Sequence, residues 1–202
     1  TICGSFLYRM EIRRVKKHDV DMTSGSVFRH LLNFAVPLLM GNIFQQLYNT
    51  VDTWVVGNYV SNEAFSAVGT VAPIINTLIG AFSGLASGAG VVISQYYGAG
   101  KYDRVKDAVH TAVMMTLVLS VAFTAIGIAM TPNMLRLMKT PAEVFPESRA
   151  YLNIYFSGMA GLMLYNMGAG ILRAVGDSKR PFYYLVCAAV INTVLDLVFV
   201  IA

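Results

Sequence analysis

The sequence predicts an all-α membrane protein, a polytopic bundle of about five transmembrane helices. Three observations carry that expectation. Of 202 residues, 56% are hydrophobic and only 13% are charged, whereas an average soluble domain covers its surface with about 25% charged residues. The mean hydropathy is +0.59. The apolar residues also form long blocks in place of an amphipathic rhythm. Five blocks reach the roughly 20 residues that a helix needs to cross the hydrocarbon core: 31–54, 68–96, 108–131, 152–172 and 182–202.

Residues 1–30 read as a cytoplasmic tail and 31–202 as the membrane unit. The first eight residues are too short for a signal peptide and lack its cationic front. Met10 and Met22 both read as candidate natural starts, and residues 1–9 are expected to lie upstream of the native chain. The stop at Ala202, within or at the end of a span, reads as a truncation. The net charge of +4 does not point to nucleic acid, because of where the basic residues fall. Twelve of the fifteen Lys and Arg lie in the tail, in the loop with Lys101, Arg104 and Lys106, or in the turn with Arg173, Lys179 and Arg180. Arg136, Lys139 and Arg149 fall on the other side. The positive-inside rule then places the N-terminus in the cytoplasm. Cys3 and Cys187 support no disulfide framework and read as bystanders. His110, beside a basic loop, reads as an interface residue.

Within span one, Pro37 removes a backbone donor and crowds the preceding turn, so a kink is expected there. It is either a fixed shape or a hinge. In span two, Gly80, Gly84 and Gly88 recur every four residues on one helical face. Such a ridge lets another backbone approach closely, and it predicts a compact bundle. Residues 131–149 contain Pro132, Pro141 and Pro146 and read as an external loop holding a short surface helix. Residues 173–181 read as a tight turn that restarts a helix near Pro181, since proline suits the first turn.

Nine of the eleven acidic residues sit in tails and loops; Asp52 and Asp196 do not. An aspartate at mid-membrane costs about 2.5–3.5 kcal/mol on insertion scales, so such groups face a bundle interior or a wet cavity. Gln45, Asn49 and Asp52 follow i, i+4, i+7 spacing and share one face, with Asn42 a turn earlier. Asn192 and Asp196 are i, i+4. Span four adds Tyr165 and Asn166. At 1.5 Å per residue Asp52 lies about 31 Å along its helix from Leu31, and Asp196 about 21 Å from Phe182. Both fall in the outer half of the bilayer and can share a cavity. Two plainer readings stand beside this one: Asp52 as the wet outer end of a long span, and Asp196 as a structural partner of Asn192.

Three segments resemble the multidrug and toxic compound extrusion (MATE) family in order and spacing. GNIFQQLYNTVDTWVVG at 41–57 is similar to its first helix, GILRAVGD at 170–177 followed by Pro181 to its fourth-helix exit, and NTVLD at 192–196 to its fifth helix. The resemblance runs from about Met22 to Ala202. It implies an amino-terminal lobe of a twelve-helix antiporter in the bacterial plasma membrane, without the sixth helix and the second lobe. It implies that organic cations are exported against protons or sodium ions, with no further cofactor. Asp52 and Asp196 match the coupling aspartates, which makes them a candidate sodium site. Gln45, Tyr151, Asn166 and Asn192 match cavity-lining positions. Ala169 departs from an asparagine of some members, which puts the local hydrogen bonding and the coupling ion in doubt. The expected partners are membrane lipid, a small organic cation and a second lobe.

Two rival readings have their own signatures. A lipid-linked oligosaccharide flippase of similar architecture would line its cavity with several Arg or Lys, and the sequence places none within a span. A non-transporting fragment would associate through the Gly80–Gly84–Gly88 ridge. An enzyme lacks support, since no metal-spaced cluster or nucleophile–base pair stands out.

Overall fold

The computed structural model describes residues 26–59 and 62–201. Most of the tail predicted over 1–30 therefore lies outside the described residues. So do the side chains of Asp52 and Asp196, although both positions are helical. Among the described residues six helices follow in order: α1 (Val27–Tyr59), α2 (Asn62–Gly98), α3 (Tyr102–Leu137), α4 (Phe145–Ser157), α5 (Met159–Ala174) and α6 (Lys179–Ile201).

Five predicted spans become six helices because the fourth is broken at Gly158, between α4 and α5. A helix break in an apolar medium frees carbonyls that need donors. The Thr124 hydroxyl of α3 supplies one, donating to the Phe156 carbonyl at 3.0 Å. The external segment also differs from its prediction. α3 runs through Pro132 to Leu137, and α4 begins at Phe145 with Pro146 in its first turn, so the loop shrinks to a short turn. No separate surface helix forms.

α3 turns mostly small residues inward and large apolar ones outward. On α3 the buried face is Ala112, Thr116, Ser120, Gly127, Thr131 and Leu135, while Val118 and Val121 are 67% and 71% exposed. Lipid takes up the large apolar side chains, and small residues let the backbones close up. The buried hydroxyls are satisfied within the helix: Thr116 donates to the Ala112 carbonyl at 2.7 Å and Thr131 to that of Gly127 at 2.8 Å. The main core joins Val71 and Phe82 of α2, Leu135 of α3, Leu152 and Phe156 of α4, and Met159 and Met163 of α5. Among the described residues, 65–98 and 102–137 are long and apolar enough to cross a membrane by length and composition. α1, at 33 residues, has the length, and its polar stripe dilutes its hydropathy.

The close seam between α2 and α5 is made by small residues, but not by the predicted ones. A methyl group on Gly170 would meet the Ala86 carbonyl oxygen at 3.0 Å, and one on Gly90 the Gly170 carbonyl oxygen at 3.5 Å. Gly80, Gly84 and Gly88 have nothing within 4 Å of where a side chain would start. Ala86 is two residues from Gly84, about 200° around the helix. The compact seam therefore forms on the opposite face, and the glycine ridge is open.

Three helices end in the same turn. Gly176 (φ +87°) donates to the Arg173 carbonyl and Asp177 to that of Leu172. Gly100 (φ +70°) closes α2 in the same way, and Lys139 (φ 54°) closes α3. These paired bonds satisfy carbonyls that a helix end leaves open. The left-handed backbone costs a non-glycine residue about 1–2 kcal/mol. Gly176→Ala is accordingly expected to lower the melting temperature of the detergent-purified chain by about 2–6 °C. An unchanged melting curve would contradict the role given to this turn.

α1 pairs with α6. Gly41 faces Leu185 and Phe182, and Phe44 meets Phe182 edge-on at 5.8 Å. This pair touches the α2–α5 block only thinly, which leaves a cleft between the two groups.

Candidate functional site

The cleft is a cavity of about 820 Å³, within the size range that holds drug-sized ligands. α1 lines it over four turns, from Pro37 through Asn42, Gln45 and Asn49 to Thr53. The i, i+3/i+4 spacing read from the sequence is therefore a real polar wall. α4 contributes Tyr151 and Tyr155, α5 Tyr165 and Asn166, and α6 Asn192. All five predicted polar residues, Gln45, Asn49, Tyr151, Asn166 and Asn192, meet here, with Pro37 at the same wall. α1 stays helical through Pro37.

Several of these groups already have partners. The Asn166 amide donates to the Leu162 carbonyl at 2.9 Å, the Asn49 amide to the Gln46 side chain at 3.3 Å, and the Tyr165 hydroxyl to the Pro181 carbonyl at 3.5 Å. Asn192 is different: its Oδ1 is buried and accepts no hydrogen bond from any of the described residues. A buried acceptor without a donor carries a free-energy cost, and it marks a place where a ligand, ion or proton would be welcome. Ala169 lies on the cavity wall and adds no hydrogen-bonding side chain.

Sequence reasoning missed several contributors. Asn76 and Ser83 of α2 both line the cavity, and their seven-residue spacing was a legible signal. Tyr48 and Tyr155 were hidden among other aromatic residues. One expectation needs correcting: a basic residue does stand on a membrane helix. α5 extends to Ala174, so Arg173 occupies its last turn and faces the cavity. The sequence put it in the loop because the apolar run stops at Leu172.

The family model described as MatE matches residues 37–198. The chain is 38% identical over 170 residues to the probable multidrug resistance protein YoeA of Bacillus subtilis (strain 168), an alignment covering 84% of the chain and 37% of that protein. It is 32% identical over 180 residues to the probable multidrug resistance protein YpnP of the same organism, covering 89% and 40%. A solved structure described as the outward-facing conformation of a multidrug resistance MATE family transporter of the MOP superfamily superposes with a TM-score of 0.81. It is 26% identical, with 87% of the chain and 39% of that structure covered. The chain spans about two-fifths of the length of these relatives. On the family match and the shared helical architecture, the chain belongs to the MATE family of multidrug efflux transporters.

Proposed function

We propose that this chain supplies most of the amino-terminal lobe of a cation-coupled exporter of organic cations, driven by protons or sodium ions across a bacterial plasma membrane. The observation that carries the reading is the cavity wall itself, where polar side chains of α1, α4, α5 and α6 converge between two thinly joined helix groups. Tyrosine faces suit flat cations, and amide groups orient them. Asp52 lies three residues beyond Asn49 and Asp196 four beyond Asn192, spacings that extend each polar wall by one turn. Burial and mutual repulsion favour neutralisation of such carboxylates by a proton, a sodium ion or the substrate. Export then follows if the two states of the cavity bind drug and ion differently. Pro37, on the wall of α1, is the hinge in this reading, and the basic tail keeps the N-terminus in the cytoplasm.

The open Gly80–Gly84–Gly88 ridge favours a second element of the reading, close docking of the remaining lobe along α2. The test is ethidium accumulation in cells. Expression of a form extended to the length of its relatives lowers accumulation, and the 202-residue chain alone does not. An extended form that inserts and leaves ethidium, and other lipophilic cations, at control levels would sink the exporter reading.

A further inference from the structure

The cavity has a charged end that the cation reading leaves unused. Arg173 reaches its wall from the last turn of α5, beside Ser178 and Pro181. Among the described residues it is the one charged side chain on that wall. Its natural counter-ion, Asp177, is committed elsewhere. Asp177 Oδ1 accepts the backbone N–H groups of Lys179 and Arg180, each at 3.1 Å, and Oδ2 pairs with Arg180 Nε at 3.1 Å. Among the described residues no carboxylate forms an ion pair with Arg173.

A guanidinium on the wall of a partly dry cavity attracts an anion more strongly than one in bulk water, and its fork of donors fits a carboxylate or phosphate with two hydrogen bonds. The cavity is also long. From Pro37 to Thr53 it follows α1 for roughly 24 Å, ample room for a flat three-ring body. Tyr165 and Phe182 line the same cavity.

We propose that the Arg173 end is a subsite for an anionic oxygen group on the exported solute, a carboxylate foremost. The inference rests on the reading of this cavity as the substrate chamber. A plain structural role is the competing account, because a cation in the last turn of a helix is favoured by the helix dipole.

Two dyes separate these accounts. Rhodamine 6G is an ethyl ester and a cation; its free acid has the same rings and a carboxylate in place of the ester. Binding of each to the purified chain in neutral detergent is followed by fluorescence anisotropy. Arg173→Gln is expected to weaken the free acid about tenfold while leaving the ester unchanged or tighter, and Arg173→Lys to retain part of the loss. An equal loss for both dyes, or no loss for the acid, overturns the subsite. A wild-type chain that elutes as a single species and binds neither dye overturns the chamber reading instead. Displacement of the acid by phosphatidylglycerol, dependent on Arg173, would assign the anionic group to a lipid and overturn the solute assignment.

Discussion

Replacing Asp52 or Asp196 by asparagine is expected to abolish export in a form of the chain extended to the length of its relatives, while insertion into the membrane is retained. Asparagine keeps the size of aspartate and loses the ability to release a proton or to hold a sodium ion with a full charge. Under either coupling the drug and ion cycles then come apart. Retained insertion follows from cost, since an amide in the bilayer is less expensive than a carboxylate. The acceptor on Asn192 that no described residue fills, one turn before Asp196 in the chain, gives the neutral state a use. A protonated carboxyl or a bound sodium ion would satisfy that oxygen. Ethidium efflux from loaded cells, with the membrane fraction assayed in parallel, decides the matter. Efflux at the wild-type rate by both variants would remove the pair from the coupling site.

Among the described glycines, Gly127→Ala is expected to cost the most stability. The new carbon would land inside the ring of Phe156, which is 1% exposed and has no room to swing away. Overpacking of this kind costs about 1–3 kcal/mol, and loss of the hydrogen bond from Thr124 to the Phe156 carbonyl adds about 1 kcal/mol. A fall of roughly 4–12 °C in the melting temperature of the detergent-purified chain follows. Phe156→Leu in the same chain should recover part of it, because the two positions share one contact. If the double variant melts no higher than Gly127→Ala alone, the clash is not the cause.

The membrane class, the order of the spans and the polar face of α1 were legible because they depend on long, local patterns. Gln45 and Asn49 share a helical face whatever surrounds them. The break at Gly158 was not legible. A lone glycine in an apolar run has no breaking signal of its own, and here the broken backbone is supported by Thr124, 32 residues away in the chain. Pro132 misled in the opposite direction, since a proline in a membrane helix is tolerated when the surroundings satisfy the freed carbonyl. The glycine ridge of α2 showed which face can be approached closely, yet the seam used Ala86 and Gly90, because alanine is nearly as small as glycine. Arg173 was assigned by hydropathy to a loop that begins two residues later.

The pairing of α1 with α6 has a consequence for how the protein is made. α1 ends at Tyr59 and α6 begins at Lys179, about 120 residues later. At about 5–20 residues per second, α1 leaves the ribosome roughly 6–24 s before its principal neighbour exists. During that wait Asn42, Gln45 and Asn49 face lipid, the insertion machinery or a transient chaperone, while α2 to α5 can already assemble around their own core. The helix that carries the polar stripe of the cavity is thus the one with the longest delay. Biogenesis of this lobe is expected to depend on whatever shelters α1 until α6 emerges.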